Sequence, residues 1–281
     1  MQVARGEIFA LVGPDGAGKT TLIRLICGAL AVDRGALHVD GVDVVRDPMR
    51  VQAVIGYMPQ RFSLYPDLSV MENLRFYGEI FGVESVAFAK RATALLGEFA
   101  LTPFVDRLAD ELSGGMKQKL ALACTLIHSP ATILLDEPTA GVDPVSRREF
   151  WRILYRINRA GTTIFVSTPY MDEAERAQRV AFIIHGAIVS CGTPAELKGA
   201  VRGEIVEIVC ERSRDARRAL RSDPLVRSIE IFGETLHALV PSAADAIPVL
   251  QSRLRASGID DARIRKIPPS LEDTFVAELT A

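Results

Sequence analysis

A glycine-rich segment followed by lysine and threonine has the residue types needed to bind a polyphosphate. It reads Gly13-Pro14-Asp15-Gly16-Ala17-Gly18-Lys19-Thr20-Thr21 and separates an apolar run at 8–12 from a run with helical spacing. Glycines let successive backbone N–H groups turn into one concavity, where the positive end of the following helix also points. Lys19 is expected to reach the β- and γ-phosphates, and the Thr20 hydroxyl to complete a Mg²⁺ site. The pattern predicts a phosphate site rather than a ligand-free turn.

Two adjacent carboxylates, Asp136 and Glu137, follow the apolar run Ile133-Leu134-Leu135. Carboxylates at the end of a buried strand are costly unless a cation or a reaction uses them. A solvated loop pair is the alternative, and the phosphate loop in the same chain argues against it. We expect Asp136 to hold Mg²⁺ through water and Glu137 to polarise an attacking water.

Two further segments carry polar groups at the ends of predicted elements. Gln60 follows an apolar strand predicted over 53–58. A second glycine turn opens a helix that runs to about residue 127, and it reads Leu112-Ser113-Gly114-Gly115-Met116. Ser113 or Gly114 at the start of this helix predicts a second anion-binding helix N-terminus.

Composition restricts the class of protein. A net charge of −2 over 281 residues gives no reason to expect a nucleic-acid partner. The four cysteines are far apart and lack metal-ligand spacing, which favours a reduced, cytoplasmic chain. No apolar run approaches the roughly 18 to 20 residues that span a bilayer, so any membrane role is expected to come through a partner.

Apolar strands alternate with amphipathic helices through the first 202 residues, which predicts an α/β fold with a mostly parallel sheet. Between about 61 and 128 the pattern is helical, and a helix is also expected over Met171–Arg179. Gly203 marks a predicted boundary. Over 203–281 the order strand, helix, strand, strand, helix, strand predicts a small α+β domain similar to a ferredoxin-like layer.

Taken together, these motifs resemble the ATPase cassette of ABC transporters, a P-loop NTPase, over about residues 5–200. The order matches in five places, at 13–20, Gln60, 112–116, 133–139 and Gly141-Val142-Asp143. The resemblance implies a head-to-tail cassette dimer with MgATP between one subunit's phosphate loop and the other's signature segment, 112–116. It also implies that Gln60 senses Mg²⁺ and a membrane permease partner, and that Asp143 lies in a dimer-crossing D-loop.

The finer pattern is similar to ABC-2 type exporters. Residues 56–65, 116–120 and the ending Pro269-Ser270-Leu271-Glu272-Asp273 carry this likeness. Asp15, where asparagine is commoner, is similar to the first cassette of YbhF-like tandem drug-efflux ATPases.

The chain departs from the family's pattern in three places. Only twelve residues precede the phosphate loop, where the family usually has two strands and an adenine-stacking aromatic. The adenine platform is therefore expected to be missing or supplied otherwise, and a truncated start would explain the difference. Pro169 occupies the place of the switch histidine and has no side-chain donor for a γ-phosphate. Met116 replaces the signature's usual glutamine, a milder change because Ser113 and Gly114 remain.

Pro169 leaves two interpretations open. In the first, this cassette's own ATP site is nearly silent and its signature segment serves a competent site on a second cassette, identical or different. In the second, Glu137 alone supports slow turnover.

The leading hypothesis is the energy-coupling subunit of a membrane exporter, peripheral at the inner face of the cell membrane. Its partner helix is expected near Phe62, Leu64, Tyr65 and Pro66, although core packing explains these residues equally well. The alternatives are a regulatory cassette that binds nucleotide without hydrolysis, and a soluble ABC ATPase of translation or DNA maintenance.

Overall fold

The protein is described by a computed structural model over residues 1–61 and 63–280. Its main sheet has the strand order β4-β5-β6-β1-β7-β8, and β7 pairs antiparallel with β8 while the other neighbours are parallel. The strands are β1 (Ile8–Val12), β4 (Ile55–Met58), β5 (Thr132–Asp136), β6 (Thr163–Thr168), β7 (Arg179–Ile184) and β8 (Ala187–Gly192). The predicted α/β class with a mostly parallel sheet is confirmed. A separate hairpin pairs β2 (His38–Val39) with β3 (Val42–Asp43).

Both faces of the main sheet are covered, as expected for parallel strands joined by helices. Along β1, Ile8, Ala10 and Val12 belong to one hydrophobic cluster, and Phe9 and Leu11 belong to another on the opposite face. The helices of this part are α1 (Lys19–Ile26), α2 (Pro48–Val54), α3 (Val70–Ile80), α4 (Ser85–Glu98), α5 (Gly114–Leu126), α6 (Pro144–Arg159), α7 (Met171–Ala174) and α8 (Pro194–Gly199).

Local capping explains where several helices begin. Ser69 and Glu72 form the predicted reciprocal cap of α3, with Glu72 N to Ser69 Oγ at 3.2 Å and Ser69 N to Glu72 Oε2 at 2.8 Å. Asp47 caps α2, whose first residue is Pro48.

The helix expected over Met171–Arg179 is wrong in extent. Helix α7 ends at Ala174 because the chain must join the sheet beside β1: the Gln178 backbone N–H donates to the Ile8 carbonyl, and Arg179 opens β7.

A second sheet follows Gly203, with the order β10-β11-β9-β12 and antiparallel pairing throughout. Its elements are β9 (Glu204–Val209), α9 (Ser213–Leu220), β10 (Ser228–Phe232), β11 (Thr235–Val240), α10 (Ala243–Ala256) and β12 (Arg263–Ile267). Both helices contribute to one hydrophobic cluster with the sheet. This element order agrees with the predicted ferredoxin-like pattern.

A final helix, α11 (Leu271–Thr280), is absent from the sequence-based expectation. Leu271 and Phe275 are buried in a hydrophobic cluster of the main sheet, and the Phe275 ring meets Phe182 of β7 edge-on at 5.2 Å between centroids. The C-terminal residues therefore return across the predicted boundary at 203 to pack on the first sheet.

Candidate functional site

The phosphate loop connects β1 to α1, and its glycines are required by close packing and backbone conformation. A Cβ on Gly13 would lie 2.4 Å from the Ile183 carbonyl oxygen of β7. Gly16 and Gly18 have φ of +78° and +103°, in the region that favours glycine. Gly18 caps α1 without a side-chain hydrogen bond. The first-turn N–H groups of α1 are therefore left for a ligand.

Lys19 is buried at the start of α1, with 4% of its surface exposed. Its Nζ donates to the carbonyl oxygens of Gly13 at 2.8 Å and Pro14 at 3.1 Å, and lies 3.0 Å from Glu137 Oε1. A buried ammonium group is tolerated only when it is paired in this way. The loop carbonyls therefore hold the charge of Lys19 at the mouth of the phosphate cradle, facing the carboxylate.

Glu137 contacts two other predicted site residues, each from a different part of the chain. Besides its ion pair with Lys19, it accepts a hydrogen bond from Gln60 Nε2 at 2.9 Å on Oε2. Gln60 follows β4, Glu137 follows β5, and these strands are parallel neighbours, so both side chains emerge at the same edge of the sheet. Glu137 has a positive φ of 47°, a conformation that costs a non-glycine residue free energy.

Asp136 is held by Ser167, a residue that the sequence reasoning missed. Ser167 Oγ donates to Asp136 Oδ1 at 2.7 Å and accepts from the Glu137 backbone N–H at 3.0 Å. Asp136 Oδ2 is buried and has no hydrogen-bond partner among the described residues. A buried, unsatisfied carboxylate oxygen is a suitable ligand for a hard cation such as Mg²⁺.

The other predicted cation ligands beside Asp136 are a hydroxyl and an amide group. No group of three or more His, Cys, Asp or Glu side chains in the described parts of the chain could hold a metal by itself. The remaining predicted ligands, Thr20 in the first turn of α1 and Gln60 after β4, carry oxygen atoms. Oxygen ligands completed by phosphate groups and water match the usual coordination of Mg²⁺.

The glycine segment 112–116 begins α5 as predicted. Ser113 is the N-cap, and its Oγ accepts from the Met116 N–H at 3.4 Å. A Cβ on Gly115 would lie 2.8 Å from Ser146 Oγ of α6, which explains the small residue there. Within residues 1–61 and 63–280, no hydrogen bond or ion pair joins this segment to the phosphate loop.

The segment around Asp143 opens α6. Asp143 Oδ1 accepts from the backbone N–H groups of Val145 at 2.9 Å and Ser146 at 3.0 Å. Hydrogen bonds from the Ser146 side chain and backbone lower the pKa of Asp143 below its ordinary value. Asp143 therefore stays ionised as a helix cap.

Pro169 follows β6 directly. It provides neither a backbone N–H nor a side-chain donor at this position. Around it lies a group of polar residues to which the motifs assigned no role, namely Thr139, Arg147, Thr168 and Glu173. The sequence signal that could have pointed to this group is the pair of hydroxyl residues, Ser167 and Thr168, that ends the apolar strand β6.

An apolar cavity of ≈ 240 Å³ lies between the main sheet and the helical segment. The Phe81 and His128 rings stack there with centroids 3.8 Å apart. Leu64 lines the cavity, whereas Tyr65 packs on Phe76 at 4.4 Å; Phe62, also expected here, lies outside the described residues. Burial lowers the pKa of His128, with Arg91 acting in the same direction, so its ring stays neutral.

None of the helices in the described ranges combines the length and apolarity needed to cross a membrane.

Comparison with known proteins adds independent information. Residues 1–140 match the ABC transporter family. The chain is 39% identical over 274 residues to the probable multidrug ABC transporter ATP-binding protein YbhF of Escherichia coli, covering 96% of this chain and 46% of YbhF. The chain thus spans about half the length of that relative.

Other relatives are matched over most of their length. Identity is 34% to the daunorubicin resistance ATP-binding protein DrrA2 of Streptomyces coeruleorubidus, covering 98% of this chain and 87% of DrrA2. Identity is 38% to the Nod factor export ATP-binding protein I of Paraburkholderia xenovorans, covering 98% of this chain and 88% of that protein.

Solved structures are also similar. An ATP-binding subunit of an ABC transporter superposes with a TM-score of 0.64 at 30% identity, over 71% of this chain and 83% of that one. The dimeric post-hydrolysis cassette MJ0796, bound to ADP and Pi, superposes with a TM-score of 0.63 at 25% identity, over 69% of this chain and 88% of that one.

Proposed function

Because the chain belongs to the ABC transporter family, as an ATP-binding subunit of its drug and exporter branch, we propose that it binds MgATP in a head-to-tail pair of cassettes to drive a membrane exporter. The observation that supports this most directly is the Lys19–Glu137–Gln60 cluster beside the glycine loop. In this proposal the ammonium, carboxylate and amide groups of these residues surround the position of the γ-phosphate.

In the proposed binding mode, the triphosphate lies along the first turn of α1 and in the loop 13–21. Lys19 would turn from Glu137 toward the β- and γ-phosphates, since a phosphate carries more negative charge than one carboxylate. Thr20, Gln60 and Asp136 would hold Mg²⁺, which supplies charge neutralisation to the phosphate oxygens when bound. Glu137, released from Lys19 and steadied by Gln60, would orient water.

The lack of a hydrogen bond or ion pair between segment 112–116 and the phosphate loop, within the described residues, supports a two-cassette site. The signature segment 112–116 exposes Ser113 and Gly114, at the start of α5, to solvent. In the proposed dimer it covers the nucleotide of the partner cassette. MJ0796 is described as a dimeric cassette, which supports the same arrangement.

We further propose that this chain's own site turns over slowly or not at all, with most hydrolysis at a second cassette. The reason is that Pro169 supplies no donor to the γ-phosphate. Slow turnover by Glu137 alone is the competing proposal. A regulatory cassette that binds nucleotide without hydrolysis is a second candidate function, and Pro169 favours it as well.

The cavity beside Phe81 and His128 is the proposed docking place for a cytoplasmic helix of the permease. Its lining is mainly apolar and aromatic, including Tyr57 and Tyr77, and it lies close to Gln60 in the chain. Docking there would place the cassette at the inner face of the membrane through its partner. Residues 1–202 are proposed as the cassette and 203–281 as an accessory domain, with α11 packed back on the cassette.

The test begins with equilibrium binding of MgATP to the full chain. We expect binding that is lost in Lys19→Ala, whereas Lys266→Ala, which removes an exposed lysine paired with Glu204, binds normally. Binding unaffected by Lys19→Ala would contradict the proposal.

Turnover then separates the remaining proposals. The silent-site proposal predicts little hydrolysis by the wild type and a gain in Pro169→His. Fast wild-type turnover that Glu137→Gln abolishes would contradict it. Co-purification with an integral membrane protein supports the exporter, and nucleotide binding with no hydrolysis in any partner's presence selects the regulator.

A further inference from the structure

One buried carboxylate near Pro169 is bound by three side chains from three parts of the chain. Glu173, on α7, is 1% exposed. Its Oε1 accepts from Thr139 Oγ1 at 2.6 Å and from Arg147 Nε at 2.9 Å, and its Oε2 accepts from Thr168 Oγ1 at 2.8 Å. Both carboxylate oxygens therefore have charged or hydroxyl donors, which makes the burial of this charge tolerable.

Two of the three donors to Glu173, Thr139 and Arg147, lie close in the chain to the predicted site residues Glu137 and Asp143. Thr139 lies in a turn closed by the Ala140 N–H on the Glu137 carbonyl at 3.1 Å. Arg147 lies in the first turns of α6, whose cap is Asp143. The D-loop segment, defined as residues 138–147, is thus attached to Glu173 at both ends.

The third donor to Glu173, Thr168, comes from the segment that contains Pro169. Thr168 is the last residue of β6 and directly precedes Pro169. Its Oγ1 also accepts from the Tyr170 N–H at 3.1 Å, and the Tyr170 ring lies 4.0 Å from the Arg147 guanidinium carbon. The switch segment, defined as residues 168–174, is therefore held on both sides of Pro169, which has no donor of its own.

We propose that Glu173 is a positioning residue that joins the D-loop segment and the switch segment into one unit. Contact of a partner cassette with the D-loop is then transmitted through Thr139 and Arg147 to the chain beside Glu137. The transmission rests on the proposed function, because it requires a partner cassette. The joining of the two segments is a property of this chain alone.

Amide hydrogen exchange of the full chain tests the joining, since exchange reports local opening segment by segment. In Glu173→Gln, which removes the charge and one acceptor, we expect at least tenfold faster exchange in both segments. Thr168→Val alters only the switch side, and it is expected to accelerate exchange in 138–143 as well. The phosphate loop should stay unchanged in both variants.

Asp172→Asn is the matched control. Asp172 is the neighbouring residue and also pairs with Arg147, at 3.3 Å, but it is 68% exposed. An exposed pair contributes little, so exchange in both segments is expected to stay within twofold of the wild type. If Glu173→Gln behaves like this control, or if Thr168→Val leaves 138–143 unchanged, the proposal is overturned.

A double variant separates positioning from simple charge pairing. Arg147→Met combined with Glu173→Gln removes both partners of the ion pair. The double variant should recover most of the decrease in unfolding midpoint that Glu173→Gln alone causes. Exchange protection of 138–143 should not recover, and any MgATP turnover should show lowered kcat at unchanged KM. Recovery of protection together with stability would overturn the proposal. Failure of the wild type to bind MgATP would instead contradict the proposed function, and the exchange data would still decide the role of Glu173.

Discussion

Replacing Glu137 by glutamine is expected to destabilise the nucleotide-free protein while strengthening its affinity for ATP. Glu137 is 9% exposed and lies 3.0 Å from Lys19 Nζ, which is itself buried. With an effective dielectric constant near 20, charges this close attract by roughly 5 kcal/mol before desolvation is counted.

The net change in stability is smaller than this attraction. Removing one partner of a buried pair costs about 3–5 kcal/mol when the other charge is left alone. Here Lys19 keeps two acceptors, the carbonyl oxygens of Gly13 and Pro14. We therefore expect Glu137→Gln to lower the free energy of unfolding by about 1–3 kcal/mol.

The same change frees Lys19 for the nucleotide and removes a negative charge that faces the phosphates. Affinity for ATP should rise by about tenfold, which corresponds to about 1.4 kcal/mol. Urea unfolding without nucleotide and equilibrium binding of a fluorescent ATP analogue measure the two effects on the same preparations.

Glu149→Gln is the control for this experiment. Glu149 also pairs with a lysine, Lys119, at 2.7 Å, but it is 48% exposed, so its loss should cost less than about 1 kcal/mol and leave ATP affinity unchanged. The reasoning is refuted if Glu137→Gln is no more destabilising than Glu149→Gln, or if it binds ATP more weakly than the wild type.

Three further predictions concern the loop, a helix cap and the C-terminal helix. Gly13→Ala should destabilise the protein by about 1–3 kcal/mol in urea unfolding and weaken ATP binding, because the new methyl group meets the Ile183 carbonyl; wild-type stability would contradict this. Ser69→Ala removes the cap of α3 and should cost about 1 kcal/mol in the same assay, with unchanged ATP affinity as its check. Burial raises the pKa of Asp273, but hydrogen bonds, including one with His237 at 2.8 Å, outweigh it and hold that pKa below its ordinary value. This stabilisation is present above the unfolded pKa near 4 and lost as pH falls through the lower folded value, so the stability difference between wild type and Asp273→Asn should shrink below about pH 4, and a constant difference would be inconsistent with it.

Most elements of the main sheet could be predicted from residue pattern. The strand over 8–12 is uniformly apolar, and residues 131–135 are apolar except for Thr132, as expected for parallel strands covered on both faces. The cap of α3 was readable because Ser69 and Glu72 act on each other across three residues. Helix α7 was predicted too long, since its end depends on the pairing of Gln178 with β1, a contact with a residue 170 positions away.

Helix α11 and the residues around Glu173 show where local pattern stops being informative. Leu271 and Phe275 have an ordinary helical spacing, and nothing in that spacing says which of two sheets they cover. Ser167 and Glu173 match no motif, and each acquires a role only from side chains brought to it by the fold.

The sequence alone determined the class of the protein and the chemistry of its candidate site, because the glycine loop, the paired carboxylates and the second glycine turn are short, contiguous patterns. A loop that must curl its N–H groups around phosphate needs those residues next to one another. Tertiary structure alone decided which of these groups meet. Lys19, Gln60 and Glu137 are up to 118 positions apart in the chain, yet the Lys19 and Gln60 side chains both come within about 3 Å of Glu137. Parallel pairing of β4 with β5 brings Gln60 and Glu137 to the same edge of the sheet. Contacts of this kind depend on sheet order, which local residue preferences do not encode.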